Sequence, residues 1–317
     1  MSRHLVLGGC GFIGRHLALA LAQQGEHVAV ADIVPPPAAL AEIIPAFHTV
    51  SPEFSDWSSL LDAYDVIHHC AWSTIPRTAN ENPLKDIDDN LKGLVRLLEA
   101  MRPFPGKRLV FASSGGTVYG RLRQIPVPED HPLAPITAYG ASKVSAETYL
   151  GFYRGCYGID CRVARISNPF GAGQNPRGGQ GAVSTFLFQA LQNEEITIWG
   201  DGSVVRDYIH IADLVAGLVR LSEVSFPDNE TLPVFNIGSG HGVSLNAIID
   251  TLRTRLQLHP QVTYLPGRAF DVPVSVLDIT KAESVLGWHP RLSLEEGCAR
   301  MLSDIRSGQA LFSNLLS

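Results

Sequence analysis

Seven residues near the N-terminus constrain this chain more than any others. Gly8-Gly9-Cys10-Gly11-Phe12-Ile13-Gly14 follows an apolar run at 5–7 and opens an amphipathic stretch at 13–24. A buried strand that turns through glycines into a helix is the start of a dinucleotide-binding unit. Gly8 permits the tight turn, Gly11 lets the backbone approach a pyrophosphate, and Gly14 lets helix and sheet pack closely. The helix N-terminus, with Phe12 and Ile13, turns backbone N–H groups and a positive dipole end toward that anion. Asp32 ends the next apolar run, 18 residues after Gly14, where a carboxylate can accept hydrogen bonds from an adenosine ribose. It would repel a 2′-phosphate, and Ile33 beside it carries no charge to neutralise one, so NAD is favoured over NADP.

The apolar runs at 5–7, 28–31, 66–68, 109–112 and 161–166 read as buried strands, and 13–24, 87–101 and 138–157 as helices. Strand–helix alternation at this spacing predicts an α/β fold with a doubly wound parallel sheet of the Rossmann kind, its crevice at the carboxyl ends of the strands. After Asn168 the texture changes. A Gly-, Pro-, Gln- and Asn-rich loop at 169–181 leads to a helix at 183–192, a strand at 196–199, a helix at 211–221 and a strand at 234–237 that returns to the large sheet. The expected division is a cofactor domain of 1–168 plus about 209–237, and a smaller α/β substrate lobe of about 169–208 plus 238–317.

Composition narrows the function further. Hydrophobic residues make up 45% of the chain and charged residues 18%, as in an ordinary globular protein, and the net charge of −6 argues against nucleic acid or an anionic membrane as partner. The apolar run at 5–7 breaks too early for a signal peptide or a membrane span. Five cysteines without Cys-x-x-Cys spacing read as free thiols and give no metal site. The expected location is the cytoplasm. His68, at the end of a buried strand, reads as a core imidazole.

Tyr139-Gly140-Ala141-Ser142-Lys143 places Tyr139 and Lys143 at i and i+4, on one helix face. A phenol of pKa ~10 is a poor base at neutral pH. Lowering it by ~3 units takes about 4 kcal/mol of differential stabilisation, within reach of an adjacent ammonium and an oxidised nicotinamide ring in a partly dry cleft. Tyr139 could then remove a hydroxyl proton while hydride leaves the same carbon.

With this pair the chain resembles the extended short-chain dehydrogenase/reductase family, its NAD-dependent epimerases and dehydratases, and most of all its UDP-glucose 4-epimerase branch. The resemblance runs along nearly the whole chain. Besides the glycine loop and Tyr139–Lys143, it is carried by Asn90, Ser113-Ser114-Gly115-Gly116-Thr117-Val118-Tyr119-Gly120 and Arg165-Ile166-Ser167-Asn168-Pro169-Phe170-Gly171. Further carriers are Trp199-Gly200-Asp201-Gly202, Val205-Arg206-Asp207-Tyr208-Ile209-His210 and Phe235-Asn236-Ile237-Gly238-Ser239-Gly240.

The resemblance implies Asp56 near the adenine, Ala71 and Asn90 along the dinucleotide, and Ser113 by the nicotinamide. It implies Asn168 on a sugar nucleotide, Arg206 and Arg268 on its diphosphate, and Asp271 on its ribose. The planar forks of the two arginines suit phosphate oxygens. Ser275, four residues after Asp271, is small and would leave room for an N-acetyl group at C2. The resemblance also implies a homodimer paired through the helices at 87–101 and 138–157.

One position departs from the family. Where a Ser or Thr normally donates a hydrogen bond to the reacting oxygen, four residues before Tyr119, this chain has Gly115. Ser114 and Thr117 are the hydroxyls that could replace it, with Thr117 preferred because Gly115-Gly116 lets the backbone shift. No carboxylic acid lies at 115–117, which disfavours elimination or decarboxylation. Epimerisation at C4 of a UDP-sugar fits best. A sugar-nucleotide 4-ketoreductase and a catalytically quiet NAD-binding sensor or scaffold remain the alternatives.

Overall fold

The computed structural model describes residues 2–51, 53–54, 56–104, 106–227, 231–267 and 272–307. β1 (Arg3–Leu7) runs into α1 (Phe12–Gln23), then β2 (His27–Asp32), α2 (Ala38–Ile43), β3 (Phe47–Thr49), α3 (Trp57–Ala63) and β4 (Val66–His69). α4 (Pro76–Glu81) and α5 (Pro83–Asp86) lead through a π-helical turn at Ile87–Leu91 into α6 (Lys92–Met101). β5 (Arg108–Ser114), α7 (Ala138–Tyr157), β6 (Asp160–Ile166), β7 (Asn168–Phe170), α8 (Ala182–Gln192) and β8 (Ile196–Trp199) follow. The chain continues through β9 (Val205–His210), α9 (Ile211–Glu223), β10 (Val234–Ile237), β11 (Gly242–Ser244), α10 (Leu245–Thr254), β12 (Val262–Leu265), β13 (Val274–Ser275) and α11 (Leu294–Arg306).

Seven strands form one parallel sheet in the order β10-β6-β5-β4-β1-β2-β3, the α/β doubly wound fold expected from the alternation. Alternate residues of one strand feed opposite faces. Val6 joins Leu17 and Leu21 of α1 and Leu214 and Leu218 of α9, whereas Leu5 and Leu7 join Leu94 and Leu98 of α6 and Leu150 of α7. Both faces are thereby covered, which is why the strand sequences are near-continuous apolar runs. Strand order reverses between β1 and β4, so the crevice for a ligand opens at their carboxyl ends.

A smaller sheet, β11-β9-β13 with β7 also on β9, packs with α8, α10 and α11 around Phe170, Val183, Leu187, Ile248 and Met301. β8 and β12 pair in parallel beside it. β3 was not anticipated: three residues at the sheet edge carry too short a period-2 signal. Nor was the π turn at the start of the 87–101 helix. It buries Asp86 and Asn90 while Asp88 and Asp89 face outward.

His68 is buried in β4, its ring stacked on that of His4 at 5.3 Å with Nδ1 of His4 and Nε2 of His68 3.0 Å apart. Burial pushes its pKa down to about 3, with lesser contributions from His4 and Arg108. The imidazole is therefore neutral in the fold and takes up a proton on unfolding at any pH between about 3 and 6.5. The unfolded state binds more protons in that window, so stability falls as pH falls through it. His68→Gln should flatten the slope of unfolding free energy against pH, between pH 4 and 6, by about 1.4 kcal/mol per pH unit in urea titrations. An unchanged slope would contradict a neutral His68.

Candidate active site

The glycine loop is shaped by contact. Gly8 adopts φ +75°, and a Cβ there would meet the backbone N of Ala71 at 2.6 Å, which places Ala71 hard against the turn. A Cβ on Gly14 would meet the Gly8 carbonyl oxygen at 2.2 Å, so only glycine lets α1 pack this closely on β1. At Gly11 a Cβ would touch only the Gly8 oxygen, at 3.2 Å, leaving that face open. Gly11 is also the N-cap of α1, with no side-chain cap and no acidic residue in the first turn, so the N–H groups around Phe12, Ile13 and Gly14 are turned to an uncapped helix end. That cradle fits a pyrophosphate. Asp32 stands at its side, accepting from the N–H of Cys10 at 2.9 Å and of Ile33 at 2.7 Å.

Asp56 is exposed at the N-cap of α3, where it accepts from Ser59 Oγ at 3.1 Å. Asn90 is buried, and both ends of its amide are taken within the protein. Its oxygen accepts from Ser73 N–H at 2.7 Å, and its nitrogen donates to Asp86 and Thr74. Asn90 thus fixes the loop after β4.

Thr137 caps α7, accepting from Gly140 N–H at 3.1 Å, and starts the helix so that Tyr139 and Lys143 share a face. Lys143 is buried. Its ammonium donates to the Ala112 carbonyl at 2.7 Å and lies 3.6 Å from the Trp72 ring centroid and 5.6 Å from that of Tyr139. Trp72 meets the Tyr139 ring edge-on, centroids 6.2 Å apart. Burial pushes Lys143 down to about 7, against the carboxylates of Asp86 and Glu147 and the Cys70 thiol, which hold it up. Burial, then the charge of Asp86, pushes the Tyr139 phenol above its ordinary range. In the protein alone the phenol is neutral.

Among the described residues, His69 Nδ1 at the end of β4 has no hydrogen-bond partner, and neither do three buried polar atoms just beyond the carboxyl edge of the sheet: Trp72 Nε1, Thr117 Oγ1 and Ser167 Oγ. They follow β4, β5 and β6, three adjacent strands. Orphaned polar groups are costly in a core, and with Trp72 and Thr117 next to the Tyr139–Lys143 turn they make this edge a candidate place for a polar ligand. Thr117 was a candidate from sequence. Ser167 stands in the sequence only as a member of the Arg165–Gly171 run, and nothing in a sequence tells a satisfied hydroxyl or indole from an orphaned one.

Gly115 is buried, and a Cβ there would meet the two Leu277 methyl carbons at 2.7 and 2.9 Å. The space a Ser or Thr would need is filled by a side chain from the far end of the chain. Among the described residues the Ser114 hydroxyl has no hydrogen-bond partner. Ser113 turns inward and donates to Glu147 Oε1 at 2.5 Å. On the small-lobe side, Asn168 donates to the Asp207 carbonyl at 2.9 Å. Arg206 and the buried Ser275 are register partners on β9 and β13, and Arg206 Nη1 donates to the carbonyls of Val205 and Val272 at 2.8 and 2.7 Å. Arg268 and Asp271 lie outside the described residues.

Against known proteins, residues 4–238 match the family model described as the NAD dependent epimerase/dehydratase family. A UDP-glucose 4-epimerase of Mycolicibacterium smegmatis is 33% identical over 96% of this chain and 99% of its own length. An Escherichia coli dTDP-4-dehydro-6-deoxyglucose reductase is 30% identical over 95% and 97%. The solved structure of a UDP-glucose 4-epimerase from Thermotoga maritima with UDP-glucose superposes with a TM-score of 0.89 at 33% identity, covering 96% of this chain and 99% of that one.

The Gly115 packing makes its own prediction. Gly115→Ser should destabilise the fold by about 1–3 kcal/mol through overpacking, and adding Leu277→Ala should recover part of that loss. Thermal melts of the single and double variants check it; additive losses would show that Leu277 is not what excludes the side chain.

Proposed function

The chain belongs to the NAD dependent epimerase/dehydratase family, and from that premise we propose that it is an NAD-dependent nucleotide-sugar 4-epimerase acting on UDP-glucose and UDP-galactose or their N-acetyl analogues. The observation that carries the reading is the set of buried polar atoms of Trp72, Thr117 and Ser167 without a partner among the described residues, the first two next to the Tyr139–Lys143 turn, with no acid at 115–117.

In this reading the open cradle of Gly8, Gly11, Phe12, Ile13 and Gly14 holds the cofactor pyrophosphate, and Asp32 takes the adenosine ribose. Asp56 lies toward the adenine, Ala71 and Asn90 shape the dinucleotide path, and Ser113 backs the nicotinamide end through its bond to Glu147. NAD, when bound, supplies the hydride acceptor and donor and a positive ring next to the phenol. Tyr139 takes the proton of the C4 hydroxyl and later returns it. Lys143 favours the phenolate by its charge, and Thr117, with Ser114 beside it, donates a hydrogen bond to the reacting oxygen. Asn168, Arg206, Arg268, Asp271 and Ser275 would hold the nucleotide sugar, the arginines by their forks on the diphosphate.

The domain division at about 169–208 and 238–317 then becomes a cofactor domain with a substrate lobe. Tyr149, Phe152 and Tyr157 leave exposed aromatic surface on α7, which supports pairing of two copies through that helix. A cytoplasmic location belongs to the same reading. Among the described residues no helix is long and apolar enough to cross a membrane.

Incubating the protein with UDP-, GDP- and dTDP-sugars without added cofactor, and reading products by NMR, tests the proposal. Inversion at C4 is expected. Stoichiometric NADH consumption on a 4-keto sugar would replace it with the reductase reading that the E. coli relative supports. Binding of NAD with no turnover across the panel would leave a sensor or scaffold. Thr117→Val should lower kcat by about 10²–10³ with little change in KM. Tyr139→Phe should abolish turnover while NAD stays bound. A Thr117→Val enzyme of parental kcat would remove Thr117 from the chemistry.

A further inference from the structure

Asp86 is wholly buried, and no role in the proposed reaction requires it. It sits at the end of α5, where the π turn begins. One carboxylate oxygen accepts from Thr74 Oγ1 and from Asn90 Nδ2, the latter at 3.0 Å, and the other accepts from Ser142 Oγ. All three donors are neutral, and all three point hydrogen at oxygen, the arrangement an ionised carboxylate requires. A buried charge satisfied by neutral donors alone is expensive, and an apolar residue of similar volume would cost the fold less. Its location suggests why it stays. Ser142 immediately precedes Lys143, and Thr74 lies two residues beyond Trp72, whose ring carries the Lys143 ammonium.

The geometry points to Asp86 as a positioning residue that clamps the Tyr139–Lys143 turn of α7 to the loop after β4 and supplies the counter-charge of that pair. The inference rests on the catalytic assignment of Tyr139 and Lys143 made above. Other ionisable groups face the pair as well. Cys70 and His69 look onto Lys143 from the end of β4, and Glu147 from the next turn of α7, where Arg165 already neutralises it. Among the described residues Asp86 is the one carboxylate whose charge acts on both Tyr139 and Lys143, and it holds both of them up. Without it the ammonium, already lowered by burial, would lose protons more readily, and the phenol would ionise at lower pH.

The test compares the parent, Asp86→Asn and Ser142→Ala, all loaded with NAD. In each, the phenolate absorbance titration of Tyr139 is isolated by subtracting the matching Tyr139→Phe protein, and kcat is followed against pH. In Asp86→Asn both curves should move to lower pH by about one unit. In Ser142→Ala, which removes a clamp bond and keeps the charge, they should stay at the parental position even where stability drops. Superimposable curves for Asp86→Asn and the parent, or a shift to higher pH, would overturn the inference and reduce Asp86 to a structural tie. If Asp86→Asn does not fold, Asp86→Ser, whose vacated volume admits a water to Thr74 and Ser142, is read in the same way. The phenolate titration needs no substrate. A protein that inverts no sugar yet shows the shift would fail the epimerase proposal and keep this one; turnover with unshifted curves would do the reverse.

Discussion

The candidate site hangs on one buried ion pair. Arg165 of β6 grips Glu147 of α7 through three contacts of 2.7–3.2 Å, both side chains almost inaccessible. Ser113, at the end of β5, donates to the same carboxylate. The remaining arm of Arg165 reaches the Tyr119 hydroxyl at 3.0 Å and the Glu129 carbonyl at 2.9 Å, and Tyr119 donates onward to Asn236 of β10. Every member has partners, so the network has the strength a buried polar cluster gains only when complete. It locks β5, β6, β10 and α7 at one depth. Glu147 lies one helical turn beyond Lys143, so fixing Glu147 fixes where Tyr139 and Lys143 emerge against Thr117.

Much of this was legible in the sequence, and the legible parts share a cause. The glycine loop could be read because steric demands at Gly8 and Gly14 are absolute: one needs a left-handed φ and the other must bring a helix within contact of a strand. The helix at 138–157 matched its observed bounds because Thr137 and Gly158 terminate it by local rules, a side-chain cap and a left-handed C-cap. What escaped was non-local. Asp86 stands on an apparently ordinary helix with two further aspartates, and the sequence does not tell which of them faces inward. Ser113 looked like a cleft residue by its place in the motif, yet its rotamer serves Glu147. Trp72 became informative only once the Lys143 ammonium was found on its face.

Burial works against the chemistry that the Tyr139–Lys143 pair would perform. Dry surroundings raise the phenol and lower the ammonium, so the protein alone favours the uncharged form of each. A proton-transfer pair of this kind gains its working balance from charges placed around it. Trp72 offers Lys143 the negative face of its ring, the Ala112 carbonyl accepts a hydrogen bond from its ammonium, and Asp86 is the inferred counter-charge. That same charge opposes ionisation of Tyr139. The two effects cannot be optimised separately, because the groups share one helix face, so a counter-charge that keeps Lys143 cationic necessarily holds the phenol protonated until another positive charge arrives.

Gly115 looks like a deletion when read along the chain and like an exchange when read in three dimensions. Leu277 joins Val118, Tyr119, Val127 and Ile279 in an apolar cluster, and its backbone bridges Val127 in parallel. The segment after β13 is therefore seated directly on the segment after β5, and the glycine is what allows the leucine to reach that depth. A side chain at 115 would need Leu277 to shift, since its methyl carbons lie 2.7 and 2.9 Å from where the Cβ would be. In the proposed reaction the donor would then come from a residue whose side chain clears Leu277 and still faces the α7 turn. Thr117 meets both conditions: its carbonyl lies 2.8 Å from where a Gly140 Cβ would be, beside Tyr139, and its hydroxyl is buried with no protein acceptor. Gly140 is accordingly as necessary as Gly115, because any side chain there would push the Thr117 backbone away from the phenol.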